Sequence, residues 1–446
     1  MKRGAISAAA VLLGIACVLA CHAAAQSAKK PPKAPPQKPP QKKEQRADPL
    51  APLLRQAEDA IERKDYPAAA PPLESYLAQR PEDAAAHFQL GYVYTGLERW
   101  EDARSEYSKA IALNPKLAAA HLNLGLVLLE REPAAAVEPF RRAADLLPDQ
   151  SRPRFLLALA LERAGHLAGA IEQYQAAASL GAKDFEIRFA LGRALLRADR
   201  AAEAEAEFRE ALALRGDSAP ARLGLAESLR AQQKLEAAAQ EFASYLQLQP
   251  QDRESRLERA SILLDLGRYD QALEELDRGD AGAPASLESY KQRADIYLRQ
   301  KLWIQAAETL QKAISLAPQD AGLHARLGRV WLERRDFAAA ERELRQALQS
   351  DPNWTDALRD LVALYYLSEN YSATLAMLDL LAQRESPTAG SWFVRATCYD
   401  KLERKAEALA AYEKFLALDQ GHTEIQDFQA RQRIRVLTRE LQQKKR

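Results

Sequence analysis

The chain of 446 residues is poor in cysteine and in aromatic residues: it contains three cysteines, and Phe, Trp and Tyr together make up 7% of it. Cys17 and Cys21 lie in an apolar run near the N-terminus, so Cys398 stands alone in the remainder. This excludes a framework of intramolecular disulfides there. Alanine is abundant instead, and this composition favours helices over strands.

Most of the chain also lacks an excess of positive charge. The formal net charge of the whole chain is +1, but residues 1–21, 22–48 and 423–446 contribute about +2, +5 and +4. Residues 50–422 therefore carry about −10. Because an acidic body offers phosphate backbones little to bind, we expect no nucleic-acid partner.

Residues 1–25 have the order of a secretory signal. Lys2 and Arg3 precede an apolar run that begins at Ala5, and small residues follow as far as Ala25. We expect export, with cleavage at or before Ala25, to the periplasm or the outer membrane of a bacterium.

Three fates of this segment stay open. Residues 18–21, Val-Leu-Ala-Cys, resemble the lipobox of bacterial lipoproteins, which would place a lipid on Cys21. The alanines at 23–25 fit ordinary signal peptidase. As an uncleaved anchor, residues 5–25 are just long enough to span a bilayer. In that case the basic residues that follow, up to Arg46, favour keeping the body of the chain in the cytoplasm.

Residues 26–48 are rich in lysine and contain six prolines, with almost no large apolar side chain. Such a segment cannot offset its ordering entropy by burial, so we predict a disordered tether. At about 3.1 Å per residue, twenty residues of polyproline II reach roughly 60 Å. That length would lift the rest of the chain away from a membrane.

A period of 34 residues, with one 33-residue unit, runs unbroken from residue 50 to 422 and divides it into eleven repeats. One position in each repeat is small, with a single exception, and we assign it to a first helix: Ala57, Gly91, Gly125, Ala158, Gly192, Ala226, Ala260, Ala294, Gly328, Val362 and Ala396.

A second small position and a large one four residues later belong to a second helix. The small column reads Ala69, Ala103, Ala136, Ala170, Ala204, Ala238, Ala272, Ala306, Ala340, Thr374 and Ala408. The large column reads Leu73, Tyr107, Phe140, Tyr174, Phe208, Phe242, Leu276, Leu310, Leu344, Leu378 and Tyr412. Most repeats then close with proline, which ends the second helix.

Segments such as HFQLGYVYTGLERWEDARSEYSKAIALNP closely resemble tetratricopeptide repeats, and with the predicted signal the chain resembles exported, lipoprotein-type members of that family. The resemblance implies an all-α fold: a right-handed superhelical solenoid of about eleven helix pairs over residues 49–422. Residues 423–446 would add a capping helix and a basic tail, with Ile425, Phe428 and Val436 sealing the last repeat. We expect Pro71 and Pro72 to kink or delay the second helix of repeat one.

The sequence contains no Gly-rich phosphate loop, HExxH, CxxC or nucleophile-elbow motif. Three histidines share one repeated position with Tyr290 and Trp392, which favours packing over metal ligation; they are His87, His121 and His324. We therefore predict a protein that is not an enzyme, with no metal site and no cofactor. Cys398 stands where other repeats carry Val or Ile, which indicates a core residue.

In the resembling family, first-helix side chains line the concave surface. We place the partner-binding site at two columns of that surface: the first is apolar in repeats two to five, with Phe88, Leu122, Phe155 and Phe189, and the second in repeats two to four, with Tyr92, Leu126 and Leu159. The alternative is that the first column merely packs between neighbouring first helices. An apolar groove of this size suits an amphipathic helix or an extended peptide. Past it, residues 277–284 predict an early helix end and a hinge between repeats seven and eight.

Together these features predict an interaction scaffold or adaptor of the cell envelope, with a protein or peptide partner in the concave groove. The alternative is a membrane-anchored chaperone adaptor that faces the cytoplasm.

Overall fold

The computed structural model describes residues 48–420 and 422–443, and every regular element within them is a helix. The predicted signal and all of the tether before Asp48 lie outside the described residues. The helices pair in sequence, and the chain divides into two compact units between Leu248 and Gln249. Among the described helices, none is both long and apolar enough to cross a membrane.

The first unit holds repeats one to six. Its helices are α1 Ala51–Glu62, α2 Tyr66–Leu77, α3 Ala84–Gly96, α4 Trp100–Leu113, α5 Ala118–Leu129, α6 Pro133–Leu146, α7 Ser151–Arg163, α8 Leu167–Leu180, α9 Phe185–Arg197, α10 Ala201–Leu214, α11 Ala219–Ala231 and α12 Leu235–Leu248. Within each repeat the first helix packs on the second.

The second unit holds repeats seven to eleven and a final single helix. Its helices are α13 Arg253–Asp265, α14 Tyr269–Asp280, α15 Leu287–Arg299, α16 Trp303–Leu316, α17 Ala321–Glu333, α18 Phe337–Ser350, α19 Thr355–Leu367, α20 Tyr371–Ala382, α21 Ala389–Lys401, α22 Lys405–Asp419 and α23 Glu424–Gln443.

Local signals set the ends of these helices. Asp83 and Asp184 accept hydrogen bonds from backbone amides two and three residues later and so cap α3 and α9. Most turns inside a repeat contain one left-handed residue, such as Lys64 with φ 57° or Glu98 with φ 58°. Gly165 occupies this place in repeat four, where φ is +85°. Glycine adopts this conformation without steric cost, whereas residues with a side chain do so at a cost.

The core follows the columns read from the sequence. All eleven residues of the small second-helix column are completely buried, and the large residues one turn later are at most 3% exposed. At Gly125 an added Cβ would lie 2.6 Å from the Phe140 ring, so the two helices of repeat three meet at the closest distance their side chains allow. Cys398 is fully buried, as predicted, and burial raises the pKa of its thiol to about 11.

The structure corrects two local predictions. The second helix of repeat one is not delayed: α2 begins at Tyr66, in register with the other repeats, and contains Pro71 and Pro72, while the predicted kink stays a prediction. Pro67, Ala68 and Pro71 are exposed, so carbonyls that lose an amide donor in this turn can reach water.

The final helix is rotated from the predicted orientation. Ile425 and Phe428 are 75% and 64% exposed, and Val436 is 38% exposed. Ala430 and Leu437 are fully buried instead, in one cluster with Tyr412 and Phe415. Ala430 follows Ala396 by 34 residues and so continues the small first-helix column, where a close approach admits no larger side chain.

The junction between repeats seven and eight is the loosest within the second unit. The 12-residue α14 stops two residues short of the 14-residue α16, and α14 packs on α15 less extensively than any other consecutive pair in this unit. Asp280 holds the junction by accepting hydrogen bonds from Arg253 (2.8 Å), Ser289 (2.6 Å) and Arg293 (2.9 Å). The hinge itself stays a prediction.

Candidate functional site

The first helices form the inner side of the first unit. At two places the first helices of successive repeats contact each other directly, α3 with α5 and α9 with α11, whereas successive second helices do not approach to a comparable extent. A stack of helix pairs curves toward the side on which its helices lie closer. Side chains that leave the first helices on this side therefore line a groove.

The seven predicted partner-binding residues all lie in this unit and are all half-buried. We call them the apolar strip: Phe88, Tyr92, Leu122, Leu126, Phe155, Leu159 and Phe189. None is withdrawn into the core, and none is fully exposed. Each therefore has apolar surface left to offer a partner, but their role in binding stays a prediction.

The aromatic members of the first column have a packing role as well. The Phe88 ring lies 5.9 Å from the Tyr107 ring, and the Phe155 ring lies 5.8 Å from that of Tyr174, between centroids. Phe189 is stacked on Phe185 at 5.8 Å. These contacts fix the rings, so a partner would meet a preorganised apolar surface.

The residues of the second column have their own packing neighbours. Tyr92 stands edge-on to Tyr66 at 5.9 Å, a neighbour that the sequence columns did not reveal because Tyr66 begins the second helix of repeat one. Burial, together with a hydrogen bond to Tyr66, raises the pKa of the Tyr92 hydroxyl, which therefore stays neutral. Leu126 and Leu159 lie partly buried against one apolar cluster.

The apolar strip ends at a charged group in repeats four and five. Glu162, whose side chain is 6% exposed, accepts hydrogen bonds from Tyr174 (2.8 Å), Arg197 (2.5 Å) and Arg193 (3.4 Å). The two arginine side chains are 55% and 52% exposed. This group was missed from the sequence, although Arg193 marks the point where its column becomes charged.

The inner side of the second unit has a different character. Basic residues of its first helices pair with acidic residues of neighbouring repeats: Lys291 with Asp320 at 2.9 Å, Arg326 with Asp295 at 2.8 Å, and Arg329 with Asp360 at 3.0 Å. These pairs line a cavity of about 590 Å³ together with Trp354. Burial raises the pKa of both Asp295 and Asp360, against the opposing effect of their arginines.

The three histidines of one repeated position are buried, and two of them join a backbone carbonyl to a glutamate. His324 joins the Pro318 carbonyl oxygen, at 3.1 Å, to Glu343, at 2.8 Å. His87 makes the equivalent contacts with the carbonyl of Pro81 and with Glu106. In repeats five to seven arginines of the same column do so, namely Arg188, Arg222 and Arg256. We call this contact pair the repeat lock: a basic residue that binds the carbonyl six residues earlier and the glutamate nineteen residues later.

Within residues 48–443 as described, no group of three or more His, Cys, Asp or Glu side chains is arranged to hold a metal ion. His121 binds the carbonyl of Pro115 at 3.0 Å, and His166 and His422 are exposed.

Sequence profiles of the tetratricopeptide repeat match residues 155–221, 189–253, 229–293, 297–365 and 389–422, and a further TPR repeat profile matches 94–130. Together they cover more than half of the chain. The chain belongs to the tetratricopeptide-repeat family. The predicted all-α solenoid of eleven helix pairs with a final single helix is confirmed.

This tetratricopeptide-repeat protein is similar to a segment of one curated protein, the Protein SGT1 homolog of Bos taurus. The two are 34% identical over 95 residues, 21% of this chain and 28% of that protein. The aligned part thus spans less than a third of the curated relative.

Solved structures with similar folds are more distant. MamA from Desulfovibrio magneticus RS-1 is 22% identical, with 38% of this chain and 96% of MamA covered and a TM-score of 0.36. YrrB, described as a TPR protein with an unusual peptide-binding site, is 21% identical, with 42% and 97% covered and a TM-score of 0.39. The Cut9–Hcn1 assembly of the APC/C is 15% identical, with 88% and 96% covered and a TM-score of 0.37.

Proposed function

We propose that this protein is a non-enzymatic scaffold that holds a helix or peptide of a partner protein against the apolar strip of its first unit. The observation that carries the proposal is the continuity of seven half-buried apolar side chains, at two repeated first-helix positions, along four successive repeats. Membership of a family whose proteins bind protein or peptide partners supports it.

The composition of the second column separates binding from packing. Tyr92, Leu126 and Leu159 share their column with Arg193 and Asp295, so charged side chains are compatible with the fold there. The fold therefore does not require an apolar residue in this column, although these three side chains also pack against the cores of their own repeats. Contiguous apolar surface at positions that admit charge marks an interaction site.

The double substitution Tyr92→Ser and Leu126→Ser tests this proposal. We expect partner capture to fall at least tenfold, since each substitution removes apolar contact area, while the melting temperature stays within a few degrees of wild type. A matched control replaces Ile304 with Ser, which is 56% exposed on a second helix of the other unit. Loss of folding in the double variant, or undiminished capture, would contradict the proposal.

We further propose that the scaffold works in the cell envelope, exported and tethered through its N-terminus in the periplasm or at the outer membrane. The sequence of residues 1–25 and the Lys/Pro-rich residues 26–48 support this location. Cys21→Ser should release the protein from membranes and abolish labelling with a fatty-acid probe. A reporter fused after Arg446 that is active only in the cytoplasm would contradict export.

A further inference from the structure

The charges at the two ends of the apolar strip differ in sign. Before it, on α1, Glu58 and Glu62 are exposed and one turn apart; Glu58 is the member of the second column that precedes Tyr92. Beyond it, on α9, Arg193 and Arg197 are half-exposed and one turn apart, and Arg193 is the member of that column that follows Leu159. The groove therefore runs from an acidic end, across an apolar middle, to a basic end.

The basic end carries positive charge that the protein does not neutralise by itself. Arg193 and Arg197 both bind the same oxygen of Glu162, and one carboxylate compensates one guanidinium. Tyr174 occupies the other oxygen of Glu162. Two half-exposed guanidinium groups thus share one buried acid, a geometry in which each has donors left for a further carboxylate.

The second unit provides the internal comparison. There Arg326 and Arg329 each bind an aspartate of their own, Asp295 and Asp360. Their charges are matched one to one. The excess at Arg193 and Arg197 is therefore not a general consequence of placing arginines on the inner face of this array.

We propose that the apolar strip takes an amphipathic helix of fixed direction, with its basic N-terminal turn at Glu58 and Glu62 and its acidic C-terminal turn at Arg193 and Arg197. This inference rests on the proposed function and adds the charge and the direction of the partner segment. The partial charges at the ends of a helix, positive at its N-terminus and negative at its C-terminus, favour the same direction. A partner segment with the reverse arrangement of charges would meet like charges at both ends of the groove, which disfavours its binding.

Two synthetic peptides of about 24 residues, roughly 36 Å as helices, are long enough to reach from repeat one to repeat five and test the direction. Both carry the same leucine stripe; one has lysines in the first turn and glutamates in the last, and the other has these charges exchanged. Fluorescence anisotropy with the purified protein should show at least tenfold tighter binding of the first peptide. Equal affinities, or preference for the second, would overturn the proposal.

Three variants test which residues produce the difference in affinity between the two peptides. Arg193→Ala with Arg197→Ala should weaken binding of the first peptide at least tenfold, whereas the matched control, Arg326→Ala with Arg329→Ala, should leave it unchanged. Glu162→Gln keeps an acceptor for Tyr174 but releases both guanidinium groups, so it should tighten binding of the first peptide at least threefold. Unchanged or weaker binding by Glu162→Gln, with an unchanged melting temperature, would contradict the shared-acid argument.

The outcomes separate this inference from the proposed function. If both peptides bind equally and Tyr92→Ser with Leu126→Ser abolishes both, the groove binds partners but the assigned direction is wrong. If neither peptide binds at about 1 mM, a concentration at which even weak complexes form, the inference of an amphipathic helix is wrong, and capture of the natural partner by the Tyr92→Ser, Leu126→Ser variant decides the proposed function separately.

Discussion

Replacing His324 with alanine should locally destabilise repeat nine, because His324 makes two buried hydrogen bonds that alanine cannot make. Its Nε2 donates to the Pro318 carbonyl oxygen at 3.1 Å, and its Nδ1 lies 2.8 Å from Glu343. The His324 side chain is 8% exposed and that of Glu343 is 16% exposed, so water compensates little. One neutral bond at about 1 kcal/mol and one charge-assisted bond at about 2 kcal/mol give a loss of about 3 kcal/mol.

The informative variant is His324→Arg. Arg222 and Arg256 form the same repeat lock, with a carbonyl six residues earlier and a glutamate nineteen residues later, so arginine should recover most of the loss. Hydrogen exchange of the α17 and α18 amides measures the local free energy of opening. His422→Ala, at an exposed position, is the control. If arginine is as damaging as alanine, or alanine has no effect, the repeat lock does not stabilise the fold.

Three further outcomes are expected. Gly125→Ala should lower the free energy of unfolding by about 1–3 kcal/mol, because its Cβ would meet the Phe140 ring, whereas Gly216→Ala, with no atom closer than 3.7 Å, should be neutral in urea unfolding. Limited proteolysis should cut near Gly279–Gly282 before it cuts inside any other repeat, and earlier cleavage elsewhere in the array would contradict the hinge. Burial alone would raise the pKa of Asp280, but hydrogen bonds from Ser289, Arg293 and Arg253 outweigh burial and lower it. Asp280 therefore stabilises the fold above its unfolded pKa of about 4 and loses that contribution as pH falls through its lower, folded-state pKa. Accordingly, the stability difference between wild type and Asp280→Asn should shrink below pH 4; a difference independent of pH would refute this.

The fold could be predicted because the same packing pattern recurs in eleven repeats. A small residue such as Ala103 and a large one such as Tyr107, one turn apart, recur in register, and both are fully buried in the structure. The sequence did not predict local structure where the contacts differ from those of the repeats, as in the final helix. Ile425 and Phe428 have helical spacing that suggests a buried face, but the close approach at Ala430 sets the rotation of α23 and leaves both exposed.

The candidate site could be predicted only in part. Register alone places Leu126 and Leu159 on the same side as Tyr92, since their positions repeat. The contacts of Glu162 with Arg193 and Arg197 depend on how far the arginine side chains reach between repeats, across 31 and 35 residues of sequence. The sequence also does not show that the Tyr66 ring contacts the Tyr92 ring, because the two residues occupy different repeated positions on different helices.

Site-specific photocrosslinking in cells tests the central claim most directly. A photoreactive phenylalanine analogue replaces Tyr92, Leu126 or Leu159 in turn, and Glu138, whose side chain is 63% exposed on the second helix α6, serves as the outward-facing control. The account predicts one shared partner band from all three inner positions and none from Glu138. Crosslinks of equal strength from Glu138, or no shared band from the inner positions, would contradict a partner held in this groove.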